Sequence, residues 1–201
     1  MADVTDAGNA LVQIIAAIVY PNGTAQPSIT GVPVLIYQGW PIEQTLAADL
    51  KAGKVHVSVF PSPNDKVSSV VHGDGEWQEV TNNGTTGISV RELRRQTRNF
   101  QITVWASCFD ARDPLAGAID AGLAAVSRIT LPDGSQALVS YVNSRQVDDQ
   151  QRAGIYRRDL FYAVNYATIQ TETDYAVLHN TTNVTALTNA ATIGTISITK
   201  P

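Results

Sequence analysis

Cysteine is all but missing from this 201-residue chain: Cys108 stands alone, so no internal disulfide is available and nothing speaks against a reducing compartment. Charge is scarce too. Asp, Glu, Lys and Arg make up 16% of the residues, against about 25% in an average globular protein. A small soluble monomer usually covers itself with Lys and Glu, so a charge-poor surface leans towards burial in an assembly; the plainer reading is a surface kept soluble by Thr, Asn and Gln. The formal net charge of −4 argues against nucleic-acid binding by the whole protein, because phosphate affinity needs clustered positive charge. No apolar run is long enough to span a bilayer. The first twenty residues carry Asp3 and Asp6 and no basic stretch, so they do not read as a signal peptide, and the expectation is a protein that is intracellular where it is made.

Catalytic signatures are absent as well. There is no G-x-S-x-G, no G-x-x-x-x-G-K-[ST] and no G-x-G-x-x-G after a strand. His56, His72 and His179 fall in a predicted strand, a Gly-rich loop and the C-terminal segment, none with a partner at metal-ligand spacing. His72-Gly73-Asp74-Gly75-Glu76 lacks the spaced ligands of a calcium loop and reads as a turn. Cys108 is expected on the apolar face of a strand, as a small buried hydrophobe rather than a nucleophile. The expectation is a protein that is not an enzyme, with no metal and no cofactor.

What is present is a pattern of elements. Asp3 caps a helix whose apolar stripe is Val4, Ala7, Leu11, Ile15 and Ile18, ended by Tyr20-Pro21-Asn22-Gly23. A strand over Val32–Tyr37 leads to a short helix from Ile42 to Ala52, with Gly53 after it. Lys54–Phe60 alternates as a second strand, closed by Pro61 and Pro63. From 61 to 90 the pattern dissolves into Gly- and Asn-rich stretches, read as an exposed hairpin or flap with short strands at Val67–Val71 and Trp77–Val80. Phe100–Cys108 is a strand with Phe100, Ile102, Val104, Ala106 and Cys108 on one face. Asp113 then caps a helix with Pro114 at its first position and a stripe of Leu115, Ile119, Leu123, Val126 and Ile129. Ala137–Val147 and Ile155–Ala167 form a long hairpin whose polar tip carries Asp148, Asp149 and Arg152. The expected class is α+β: a mostly antiparallel β-sheet flanked by two main helices, with that hairpin and an extended C-terminal arm. Residues 1–169, including the flap at 61–90, form the domain, and 170–201, rich in Thr, Asn and Ala, form the arm. The arm is either free or added as a strand to a neighbour.

Arginines outnumber lysines ten to four, and Arg91, Arg94, Arg95 and Arg98 are the strongest charged signal. Three readings stand. A nucleic-acid patch wants more cations and exposed aromatics than this stretch offers, and Glu92 interrupts it. A plain solvated face needs nothing further. An interface uses arginine's weakly hydrated planar fork against acidic groups such as the Asp148–Asp149 tip, Asp65 or Asp74 on another copy or partner. With Arg152, Arg157 and Arg158, these residues are the candidate subunit or partner interface.

The order of elements, and the stretches YPNGTAQPSITGVPVLIYQGWP, KVHVSVFP, RRQTRNFQITVWASCFDARDPLA and VNSRQVDDQQRAGIYRRDLFYAVNYA, resemble the tail terminator (tail completion) proteins of long-tailed bacteriophages. These stretches span most of residues 10–167 and leave the arm uncovered. The resemblance implies a homo-oligomeric, hexameric ring in the virion tail or neck, assembled in the host cytoplasm. Such a ring caps the tail tube, ends its polymerisation and joins the tail to the head. Its implied partners are the tail tube protein, head-completion or connector proteins and, in a contractile tail, the sheath protein, with no membrane and no sequence-specific nucleic acid. The long flap and the arm depart from the pattern. They leave room for another neck or tail component, such as a head-tail connector, or for a soluble ligand-binding or enzymatic domain.

Overall fold

The structure is a computed structural model, and it describes residues 2–69, 78–82, 86–147, 153–175, 182–188 and 191–198. Helix α1 (Val4–Val19) starts on a reciprocal cap: the Asp3 carboxylate accepts from the N–H groups of Thr5 and Asp6 at 2.7 and 3.0 Å, and Asp6 accepts from the Asp3 N–H at 2.9 Å. It buries Ala7, Gly8, Leu11, Ile15 and Val19, one stripe at helical spacing. Strand β1 (Val34–Gln38) runs parallel to β2 (Val55–Ser69), and α2 (Glu43–Lys51) makes the crossover. Gly53, at φ +78°, turns the chain after α2.

β2 pairs with β4 (Thr86–Ala106), and β3 (Gln78–Asn82) pairs with the first residues of β4. After α3 (Phe109–Ala124), the short β5 (Arg128–Thr130) pairs with β6 (Gln136–Val147), which pairs with β7 (Tyr156–Tyr175). The strand order is β1-β2-β4-β7-β6-β5, while β8 (Thr182–Thr188) and β9 (Ala191–Ile198) form a two-stranded sheet of their own. The β2–β4, β3–β4, β5–β6, β6–β7 and β8–β9 pairs are antiparallel. The fold is α+β with a mostly antiparallel sheet.

The chain divides into two compact units, 1–73 with 92–169, and 74–91 with 170–201. The first contains the core. Helices α1 and α3 lie side by side over the sheet face made by Val55, Val57, Val59, Phe100, Ile102, Val104, Ala106, Leu160, Tyr162, Val164 and Tyr166, all buried. Each of these larger side chains contributes roughly 1.5–3 kcal/mol by leaving water. Gly122 sets the helix spacing, since a Cβ there would stand 2.5 Å from Ile18 Cδ1. In the second unit, Arg91 Nε donates to Gln170 Oε1 at 2.8 Å.

Four expectations need correction. β2 does not close at Pro61 and Pro63 but continues to Ser69: its register against β4 slips between Pro61↔Phe100 and Asp65↔Arg98, and Pro63 falls within that irregularity, where no regular ladder bond is needed. Within 61–90 the described residues also hold β3 and the first part of β4, which begins at Thr86; Val70, Val71 and Trp77 lie outside the described residues. α3 starts at Phe109, with Cys108 as its N-cap and Pro114 inside it. Asp113 is not the cap but lies inside the helix, where its carboxylate accepts from Arg112 Nε at 2.8 Å. The helix also stops at Ala124, and Ile129 is buried from β5 instead, opposite Ala137 across the Asp133-Gly134 turn. Cys108 is exposed, because the strand ends at Ala106 and its alternation ends there too.

Candidate interaction surface

The two-residue alternation of β4 puts Arg94 and Arg98 on one face and Arg95 on the other. Arg95 is the most engaged: its guanidinium holds Glu92 through Nε and Nη2 at 3.0 and 2.7 Å, and Nη1 donates to Asn165 Oδ1 at 3.1 Å. Arg98 Nη1 donates to the Ser62 carbonyl at 2.6 Å, and its backbone stands opposite Asp65 in the register. Arg94 is exposed and donates from Nε to Thr168 Oγ1 at 3.3 Å. The row that looks like one cluster in sequence is therefore split between faces and tied to neighbouring strands, with Arg94 the most open member. Asp74, Asp148, Asp149 and Arg152 lie outside the described residues.

Arg157 and Arg158 also separate by parity. Arg157 belongs to a polar seam on the sheet face away from α1 and α3. Its Nη2 lies 3.1 Å from Asp159 Oδ2, and its guanidinium sits 5.3 Å from the Trp105 ring centroid. Asp159 is buried and accepts from Thr103 Oγ1 at 2.8 Å, while Trp105 Nε1 donates to Ser58 Oγ at 3.0 Å. Arg158 acts at α3: the hydrogen bond from Arg112, followed by the charges of Arg112 and Arg158, holds the Asp113 carboxyl below its ordinary value. Arg112 itself, which the sequence reading passed over, is fully buried, with its guanidinium 4.8 Å from the Phe109 ring centroid. A charged residue one position before an Asp-Pro pair carries no signal that it will be enclosed.

Helix α2 covers the rest of this face, packing Leu46 and Leu50 on Trp105. Beside it, Tyr37 Oη is 3.0 Å from His56 Nδ1, and His56 Nε2 is 3.2 Å from Asp49 Oδ2. Asp49 Oδ1 also accepts from Lys54 Nζ at 2.8 Å. Burial lowers the His56 pKa, against the opposing pull of Asp49, and a neutral ring satisfies both neighbours if Tyr37 donates to Nδ1 and Nε2–H donates to Asp49. Burial, helped by the Asp49 charge, pushes the Tyr37 phenol up to about 12. Asp49 is lowered, first by its hydrogen bond from Lys54.

Two of the clefts beside α2 adjoin Trp40. One, of about 330 Å³, is lined by Leu35, Tyr37, Trp40, Ile42, Asp49 and His56. The other, of about 630 Å³, is lined by Trp40, Glu43, Leu46, Trp105, Ile155 and Arg157. Trp40 stands between them, its ring 5.3 Å from Phe60 and 5.9 Å from Trp105. Among the described residues no group of three or more His, Cys, Asp or Glu side chains is placed to hold a metal, and no helix is long and apolar enough to cross a membrane.

No protein-family model matches the chain, and no curated protein matches it. Among solved structures, it aligns with the sheath/tube terminator of an extracellular contractile injection system (PVC) in the extended state, over 95% of its own length and 64% of that chain, at 13% identity and a TM-score of 0.50. The chain has the fold of a sheath/tube terminator. It spans about two thirds of that protein's length. A chain of a native gene transfer agent virion aligns over 83% of this chain and 100% of its own, at 16% identity and a TM-score of 0.41. At 13% identity the likeness to the terminator is one of fold.

Proposed function

We propose that this chain is a structural component of a phage-like tail, a terminator that forms a ring at the end of the tail tube, stops its polymerisation and joins it to the head or neck. The observation that carries the reading is the terminator fold, shared over 95% of the chain. The low charge of the sequence supports it, since 16% charged residues suit a surface that spends its life against other proteins. The partners follow from the reading: the tail tube protein on one side, head-completion or connector proteins on the other, and the sheath protein where the tail contracts.

The charged side chains fall into two groups on this reading. Arg95 and Arg98 bond to neighbouring strands within a copy and Arg157 is held by Asp159 and the Trp105 ring, whereas Arg94 presents its Nη groups to a partner. Arg91, Arg152, Arg158, Asp148 and Asp149 complete the proposed interface. The test is polymerisation of tail-tube protein in the presence of the full chain. Tubes that stop growing and carry the chain at one end support the proposal; unchanged tube lengths with the chain left unbound contradict it.

A further inference from the structure

An open sheet has two edge strands, each leaving a row of backbone groups to be answered. One edge here is β1. Pro33 C=O accepts from Val55 N–H and Gly39 N–H donates to Val59 C=O, both at 2.9 Å, so the odd-numbered backbone groups face β2 and the even-numbered ones face outward. The Tyr20 hydroxyl answers both Val34 groups at 2.8 Å. Ile36 and Gln38 have no backbone partner on that side among the described residues.

The other edge is β6. β5 covers only Gln136–Leu138, and Ser127 C=O takes the Val139 N–H at 3.0 Å. From Ser140 to Val147, β6 has β7 on one side and no strand on the other among the described residues. Edge strands that must stay solitary are blunted by charges, proline, bulges or a covering segment. This one carries a single charge, Arg145, and one irregularity, between Tyr141 and Asn143; it has no lysine or proline, and Ser140–Gln146 are all exposed.

Half of the exposed apolar residues lie at these two edges. Of the ten large hydrophobics exposed among the described residues, Leu35, Trp40 and Ile42 adjoin β1, and Tyr141 and Val142 lie on the open part of β6. The charges are complementary: Arg145 on the β6 edge and Glu43 beside Ile42 are both exposed, and neither has an ion-pair partner among the described residues.

We propose that copies of this chain join head to tail, the β6 edge of one (Ser140–Val147) adding to the β1 edge of the next (Ile36–Gln38). Two different edges make a heterologous contact, the kind that closes into a ring, and each copy then has both edges satisfied. A two-fold β6–β6 pairing leaves every β1 open. The inference rests on the assembly reading above and names its joint.

The test uses full-length variants whose folding is checked by circular dichroism. The β6 edge is blocked by Tyr141→Lys with Val142→Lys, and separately by Ser144→Pro. The extra residue between Tyr141 and Asn143 shifts the alternation, so the Ser144 N–H faces outward and its loss spares the β7 ladder. The β1 edge is blocked by Leu35→Lys with Ile42→Lys. Sedimentation velocity should show wild-type rings, each variant alone as a monomer, and a 1:1 mixture of a β6-blocked and the β1-blocked chain as dimers with nothing larger. A β1-blocked chain that dimerises by itself overturns the proposal in favour of β6–β6 pairing. Blocked chains that still form wild-type rings overturn it while leaving the terminator reading intact. A wild-type chain that stays monomeric both alone and on tail tubes removes both.

Discussion

Burial of His56 between Tyr37 and Asp49 ties stability to pH. Its folded pKa lies below the ordinary histidine value of 6.5, so at pH values between the two the unfolded chain binds a proton that the folded chain does not. Stability therefore rises with pH through this window and is lost on acidification below about 6.5. Asp49 works in a lower window: its depressed pKa gives stability that is present above the ordinary carboxylate value and lost as pH falls through the folded one. The melting temperature should fall between pH 7 and pH 5, and His56→Gln should flatten that slope. Parallel profiles for the two proteins contradict the assignment. A second residue-scale prediction concerns the arginines. Arg94→Glu gives up one bond at an exposed site and should change stability by less than about 0.5 kcal/mol. Adding Arg95→Glu breaks a partly exposed pair, typically about 0.2–1 kcal/mol, and sets two carboxylates side by side. The double variant should remain folded in a thermal melt and lose ring formation; unchanged rings contradict the interface role of Arg94. Single residues were the least legible part of the sequence. The settings of Cys108 and Arg112 are not legible from sequence, because each depends on where α3 begins, and the helix starts at Phe109 rather than at the Asp-Pro pair.

At the scale of elements, α1 was readable from its cap and stripe because both are local: Asp3, Asp6, Leu11 and Ile15 act within one helix. The β6–β7 hairpin was equally plain, since alternation over more than ten residues has no helical counterpart. The ends of β2 were not, because a proline in isolation signals a stop, and only the partner strand shows that a register slip accommodates it. The α1–α3 contact gives the sharpest prediction. Gly122→Leu drives a side chain into Ile18 and should destabilise the chain by about 1–3 kcal/mol, read as a lower urea midpoint. Ile18→Ala in the same chain should restore part of the loss. Additive costs for the two substitutions contradict a direct clash.

At the scale of the whole molecule, the sequence reads as a domain with an arm, because no hydrophobic run in residues 170–201 is long enough for a core of its own. In the structure residues 170–201 group with 74–91, so the second unit is assembled from two separate stretches of chain. Because the first unit holds the continuous core, ending the chain after Ile169 should leave it cooperatively folded, with a sharp thermal transition; a truncated chain without one contradicts that division. The alternation that made the strands legible could not show which edges stay open, since that depends on strand order rather than on any one strand. Copies joined through such edges should close on themselves. Electron microscopy of the purified full-length chain, alone and with tail tubes, checks this: closed rings of a single size, seated at tube ends when tubes are present, are expected, and a field of isolated monomers with bare tube ends contradicts the proposal.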